Sequence, residues 1–364
     1  MEEVKGQRVH GSLDYEELAR LGLHPADMCD LSVNSNPYGP SPHIRPALAT
    51  VAIERYPDRA CSELRRTIQT YEPGMNALPL DTILCANGTA ELIWALARAF
   101  LGPGHTAAQF GPTFGDYRAA SQAAGAELIE YRLHAEDSFQ PDSTAVTSWL
   151  ERERPTLLWL CNPNNPTGTW LARHTIEQLL DTCQRTDTML VVDEAYWRFL
   201  VPREAFSAVA LLTRSTNAPL LILRSLTKDF ALAGVRLGYA VAAPTLMERV
   251  NPHLPSWNVN SFAQAAGIAA LTDQAHLNKT LGDLAIERQA FFDALHKRGL
   301  HVLPSRTHFC LIEVGDAHEV RRRLLLRHIL VRDCASFGLP QYIRVATRQR
   351  GEWQRFLSAL EEVL

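Results

Sequence analysis

Between residues 80 and 245, short apolar runs alternate with stretches of helical length, and that alternation constrains the chain more than any other feature in it. Ile83–Ala86, Thr106–Phe110, Leu157–Cys161, Met189–Val192, Leu220–Leu223 and Gly238–Ala242 read as strands. Helices are expected over Thr89–Phe100, Phe114–Ala124 and Thr175–Arg185. Strands that are apolar along their whole length need cover on both faces, and crossovers of about ten or more residues join parallel neighbours. The expectation is an α/β unit on a mostly parallel sheet. After Pro252 the pattern changes. A long polar-faced helix is expected over Phe262–Arg298, then strands at Phe309–Val314, Ile329–Val331 and Tyr342–Val345, with helices at Ala317–Arg327 and Gly351–Leu364. We divide the chain into an arm (1–45) packing on a small domain, a large domain (46–252), and a small α+β domain (253–364) that includes the long connecting helix.

Composition removes several function classes. With 46% hydrophobic and 21% charged residues the chain can bury a substantial core, so a disordered or collagen-like chain is excluded. A net charge of -4 offers no broad basic surface for nucleic acid or an anionic membrane, although a local basic pocket for a small anion is compatible with it. No run approaches the ~18 apolar residues of a membrane span. Met1-Glu2-Glu3-Val4-Lys5 is charged and lacks a following apolar stretch, unlike a signal peptide. The seven cysteines are odd in number, scattered and never in CxxC spacing, which suits free thiols in a reducing cytoplasm. No metal-ligand motif or GxSxG elbow occurs, and no metal is expected. Gly102-Pro103-Gly104-His105-Thr106-Ala107 mimics a dinucleotide fingerprint, but it ends a helix and precedes a strand, the reverse of the required context.

The chemistry-bearing residues gather at strand ends. Lysine is scarce: only Lys5, Lys228, Lys279 and Lys297 occur. Lys228 follows the strand at Leu220–Leu223, at the carboxyl edge where open α/β sheets bind ligands. There it could be a phosphate point charge, a salt-bridge partner or a Schiff-base nucleophile. The strand at Met189–Val192 delivers Asp193-Glu194-Ala195-Tyr196, and Leu157–Cys161 delivers Asn162-Pro163-Asn164-Asn165-Pro166-Thr167-Gly168. Ile83–Ala86 leads into Asn87-Gly88-Thr89 at a helix start, a natural anion site. Singly, these could be a helix cap, a turn and an N-cap. Together they supply an amine, a carboxylate, polar donors and a phosphate cradle.

With Asn34-Ser35-Asn36-Pro37, Arg55-Tyr56-Pro57-Asp58, Ser225-Leu226-Thr227-Lys228 and Ser256-Trp257-Asn258-Val259-Asn260, the chain resembles fold-type I pyridoxal-phosphate enzymes of the aminotransferase class, in the histidinol-phosphate aminotransferase group. Within that group His10-Gly11 and Ile329-Leu330-Val331-Arg332-Asp333-Cys334 are most similar to the threonine-phosphate decarboxylases of cobalamin biosynthesis. The resemblance implies a large cofactor-binding domain with a seven-stranded, mostly parallel sheet and a smaller α+β C-terminal domain. It implies pyridoxal 5'-phosphate as cofactor, with Lys228 forming the Schiff base and shuttling a proton at the reacting carbon. Asp193 is expected to face the ring nitrogen; opposite charges ~4 Å apart at an effective dielectric of 20 are worth about 4 kcal/mol, roughly three pKa units. Asn165 and Tyr196 are expected at the ring oxygen and Phe114 on the ring face. Gly88, Thr89, Ser225, Thr227 and Arg236 are expected at the phosphate, joined by Tyr56 from a neighbouring subunit, which implies a homodimer with shared sites. Arg344 is expected to clamp a substrate carboxylate, with Arg332, Asn34 and His10 as further substrate contacts.

These cofactor residues serve either reaction, because the bond at the substrate's amine carbon that aligns with the π system is the one that breaks. The leading expectation is decarboxylation of the phosphorylated amino acid L-threonine O-3-phosphate to 1-aminopropan-2-ol phosphate. The alternative is transamination of the histidinol-phosphate type with 2-oxoglutarate and glutamate. A non-catalytic sensor fused to a DNA-binding module is disfavoured, since only about 30 residues precede Asn34. Asp229 after the lysine, Trp197-Arg198 after Tyr196, and Ser12 depart from the family pattern.

Overall fold

A computed structural model describes residues 11–200, 206–213 and 218–364. Its strands in chain order are β1 (Cys29–Asp30), β2 (Ile83–Ala86), β3 (Thr106–Gly111), β4 (Glu127–Arg132), β5 (Leu157–Cys161), β6 (Met189–Asp193), β7 (Leu220–Ser225), β8 (Gly238–Ala242), β9 (Phe309–Glu313), β10 (Ile329–Leu330), β11 (Arg332–Asp333) and β12 (Tyr342–Ala346). Seven of them form one sheet in the order β2-β8-β7-β6-β5-β3-β4. All neighbouring pairs are parallel except those of β8, which runs antiparallel to both β2 and β7.

The apolar strands are double-sided, as their composition demands. In β5, Leu158 and Leu160 enter one core while Leu157, Trp159 and Cys161 enter the other. In β7, Leu220 and Ile222 divide from Leu221 and Leu223 in the same way. This is the period-2 alternation of a pleated strand with a helix layer on each side. β4 was not anticipated, because Glu127-Leu128-Ile129-Glu130-Tyr131-Arg132 mixes charge with apolar residues. It is one of the two edge strands, where such a mixture is tolerated.

The long helix expected over Phe262–Arg298 is two helices, Ser261–Thr272 and Gln274–Lys297. Asp273 separates them: its carboxylate accepts the His276 N–H (3.1 Å) as an N-cap and the Ser41 hydroxyl (2.6 Å). Beyond it lies a smaller α+β unit with an antiparallel sheet, β11-β12-β9, and a separate core around Phe291, Trp353 and Phe356. The N-terminal segment lies against this unit. β1 pairs with β10, Leu18 packs with Leu325 and Leu330, and Glu17 receives both prongs of Arg321. All seven cysteines are buried and unpaired. Among the described residues no helix is long and apolar enough to cross a membrane.

Candidate active site

Because β5, β6 and β7 are parallel, the residues that follow them emerge on one sheet edge. A cavity of ≈ 570 Å³ opens there, roofed by residues of β11, β12 and the N-terminal segment. Lys228, three residues past β7, lines it. The Lys228 carbonyl accepts the N–H groups of Asn36 (2.8 Å) and Ala231 (3.3 Å), which fixes its turn. Burial pushes its amine down to about 8; the nearby Arg344 and Arg236 push the same way, and Asp193 opposes them.

Asp193 ends β6 and lines the same cavity. Its two oxygens accept from the Tyr117 hydroxyl (2.7 Å) and the Ala195 N–H (3.0 Å). Burial nevertheless pushes the carboxyl up to about 6, since these donors and Lys228 offset only part of the desolvation. The sequence pattern alone points to no role for Tyr117. It is fully buried, stacked on Trp159 at 5.2 Å, and the Trp159 indole N–H donates to Ser121 (3.0 Å). Its signal was present: three residues after Phe114 in the expected helix, it faces the sheet.

Phe114 lines the cavity and meets the Tyr117 ring edge-on at 5.6 Å. Tyr196 is buried against Phe309 (5.0 Å), and its hydroxyl accepts from the Asn34 amide (3.4 Å). Burial pushes this phenol up to about 12, with Arg344 opposing, so it stays protonated and can donate. The Asn165 side-chain oxygen accepts from Arg344, which leaves its NH₂ group as a donor.

The cradle at β2 is built by close approach. Gly88 has φ +81°, and a Cβ there would lie 2.9 Å from Arg236 Nη2. A Cβ on Gly238 would lie 2.9 Å from the Thr89 nitrogen. Thr89 begins the helix Thr89–Phe100, and Thr89, Ser225, Thr227 and Arg236 all line the cavity. Backbone N–H groups, hydroxyls and a guanidinium around a helix start suit a phosphate.

The opposite wall is cationic. Arg332 and Arg344 stand directly across from each other in the β11–β12 pair, each 4% exposed. Like charges so placed destabilise a sheet. Arg332 donates to Ser336 (2.6 Å), and burial together with Arg344 pulls its guanidinium down to about 10. Arg344 donates to Asn165 and the Ser32 carbonyl, neither of them anionic; its Nε and the Asn34 side-chain oxygen are buried without a partner among the described residues. Burial lowers the Arg344 guanidinium as well. Gly11 lies against this wall, where a Cβ would be 2.5 Å from the Ser32 oxygen.

The fold thus brings together Asn34, Thr89, Phe114, Asn165, Asp193, Tyr196, Ser225, Thr227, Lys228, Arg236, Arg332 and Arg344 around one cavity, with Gly88 against Arg236. Tyr56 is not among them: it is 81% exposed and packs, tilted, against Trp257 with ring centroids 4.8 Å apart. His10 falls outside the described residues. The set fits pyridoxal phosphate on its own chemistry. It has an amine of lowered basicity, a carboxyl short of a cationic partner, donors for a ring oxygen, and a phosphate cradle that a side chain at Gly88 would crowd.

A profile of the family described as "Aminotransferase class I and II" matches residues 26–360. Histidinol-phosphate aminotransferase 1 of Thiobacillus denitrificans is 35% identical over 351 residues, covering 96% of this chain and 88% of its own. Among solved structures, histidinol-phosphate aminotransferase from Sinorhizobium meliloti in complex with pyridoxal-5'-phosphate is similar with a TM-score of 0.84 and 25% identity, over 97% of this chain and 94% of that one. L-threonine-O-3-phosphate decarboxylase from Porphyromonas gingivalis is similar with a TM-score of 0.78 and 28% identity, over 91% and 98%.

Proposed function

The chain belongs to the class I and II aminotransferase family and uses pyridoxal phosphate, and from that premise we propose that it is a transaminase of the histidinol-phosphate type, exchanging an amino group between a phosphorylated amine and 2-oxoglutarate. The sequence put decarboxylation first; the relatives reverse that order, since histidinol-phosphate aminotransferases match at 31–36% identity over most of the chain. The facing pair of buried guanidiniums, Arg332 and Arg344, across one cavity from Lys228 and Asp193, supports an anionic substrate in either reaction, and the identity to the histidinol-phosphate aminotransferases carries the choice of transamination. Such a wall recognises a substrate bearing a carboxylate or a phosphate.

When bound, the cofactor supplies an electron sink for charge developing at the substrate's amine-bearing carbon. Lys228 would hold it covalently and, with an amine lowered to about 8, would take and return the proton at that carbon. Asp193, oriented by Tyr117 and the Ala195 N–H, would hold a proton on the ring nitrogen. The Tyr196 hydroxyl and the Asn165 NH₂ would donate to the ring oxygen, and Phe114 would cover one ring face. Gly88, Thr89, Ser225, Thr227 and Arg236 would hold the phosphate. Arg344 would take the substrate's anionic group, with Arg332 and Asn34 beside it. The exposed Tyr56–Trp257 pair suits an interface with a second copy, through which Tyr56 would reach the neighbouring site. Free, buried thiols suit a reducing cytoplasm.

The second reading, decarboxylation of L-threonine O-3-phosphate, is favoured by the 28% identity to the Porphyromonas gingivalis enzyme. One experiment separates the two. The loaded protein is given histidinol phosphate with 2-oxoglutarate, and separately L-threonine O-3-phosphate. Glutamate in the first and no carbon dioxide in the second is the expected result; the reverse replaces this reading with the other.

A further inference from the structure

Behind the cavity lies a second set of buried ionisable groups. Arg198 donates to Glu72 (2.6 Å) and lies 3.1 Å from an Asp229 oxygen. Arg224 lies 2.8 Å from Glu194 and 3.5 Å from Glu72. Both guanidiniums stack on Trp197, at 5.5 and 4.1 Å, and the Tyr239 phenol interacts with them and with Glu72. Two of the three departures from the family pattern, Trp197-Arg198 and Asp229, are therefore one structure.

We propose that Asp229 and Arg198 are a positioning pair that holds the Lys228 turn in register with the Tyr196 turn. The proposal rests on the reading of Lys228 as the cofactor-bearing amine. Asp229 is the next residue along the chain; its carboxylate accepts the Phe230 N–H (3.0 Å) and its carbonyl accepts the Asn36 amide (3.0 Å). The Asn36 backbone N–H in turn holds the Lys228 carbonyl. Arg198 lies two residues past Tyr196, in the 3-10 turn Trp197–Phe199. The pair thus fastens the segment that leaves β6, carrying Asp193 and Tyr196, to the segment that leaves β7, carrying Ser225, Thr227 and Lys228. Glu72, Glu194, Arg224 and Tyr239 surround it, from the Ser62–Tyr71 helix end, the residue after β6, β7 and β8. With three carboxyls to two guanidiniums, the set holds one carboxyl in excess, and burial pushes Asp229 up to about 7.

The Lys228 nitrogen is sensitive to position, because its ionisation depends on Arg344, Arg236 and Asp193. At an effective dielectric of about 20, moving it roughly 1 Å from a charge about 4 Å away shifts its midpoint by about half a pH unit. The test is a pH titration of the visible band of the loaded protein, paired with the pH profile of amine labelling at Lys228 in the cofactor-free protein. Asp229→Asn is expected to move both midpoints by about half a unit or more. Glu72→Gln, which removes the other partner of the same guanidinium, is expected to lower the unfolding temperature and leave the midpoints in place. Unmoved midpoints in Asp229→Asn, or equal shifts in both variants, overturn the proposal. Should Asp229→Asn not fold, Arg198→Gln takes its place with the same expected shift. A wild-type protein with no visible band, and no label at Lys228, would instead defeat the functional reading itself.

Discussion

Replacing Asp193 by Asn should make the cofactor-free protein more stable while impairing its function. Burial raises the Asp193 carboxyl from an ordinary 3.8 to about 6. Between those values the folded chain keeps a proton that the unfolded chain has released, so stability falls as pH rises through this window. Each unit is worth 1.36 kcal/mol, so the ionised carboxylate costs roughly 1.6 kcal/mol at pH 5 and about 3 kcal/mol at pH 7.5. Asn does not titrate, and it can keep both hydrogen bonds: its oxygen accepts the Ala195 N–H and its NH₂ donates to the Tyr117 oxygen. Asp193→Asn should therefore gain on wild type by an amount that grows about twofold from pH 5 to pH 7.5. Urea unfolding of both cofactor-free proteins at the two pH values measures it. With the ring nitrogen placed as proposed, the sign reverses in the loaded protein, because that nitrogen then meets an amide in place of a carboxylate. A variant less stable than wild type at both pH values, or a gain that does not grow with pH, would refute the claim that Asp193 waits for a cationic partner.

Three further outcomes follow from the same site. In the cofactor-free protein, amine labelling at Lys228, followed by peptide mapping, should show a midpoint near 8; a midpoint near the ordinary 10.5 would mean that the amine is not desolvated. Arg344→Met should leave the cofactor-free protein about as stable as wild type, since an uncompensated buried charge is removed, yet raise KM for the amino substrate by about 100-fold or more. Tyr117→Phe should raise the Asp193 carboxyl further and weaken cofactor binding by about 1–3 kcal/mol, read by titrating pyridoxal phosphate into the apoprotein.

How much of this was legible in the sequence depends on what each residue answers to. Strands β5 to β8 announce themselves because both faces are apolar, and a strand end fixes the place of whatever follows it, so Asp193, Asn165 and Lys228 could be set on one edge before any coordinates. β4 hid because an edge strand need not be apolar. The break at Asp273 hid because both flanking segments carry helical pattern and only one capping aspartate divides them. Arg332 and Arg344 were placed by family likeness; that they oppose each other depends on a two-residue strand too short to leave a pattern. Tyr56 is exposed and does not line the cavity within one chain, and its expected contact belongs to a neighbouring subunit.

Burial alone does not mark the site, because this fold buries charge in two places, and the directions of the pKa shifts tell them apart. In the set around Glu72, partners outweigh desolvation: the Glu72 carboxyl is lowered, and Arg198 and Arg224 are raised. Those charges stabilise one another and need no ligand. Around the cavity every shift runs the other way: Asp193 up, Lys228, Arg332 and Arg344 down. Each of these groups is desolvated beyond what its neighbours offset, which is the electrostatic mark of a site that a charged ligand completes. Asp229 belongs to the first set by contact and to the second by direction, raised to about 7 with Arg198 at 3.1 Å. A carboxyl in that intermediate state, one residue from Lys228, is where a change in the structural set would be felt by the Lys228 amine.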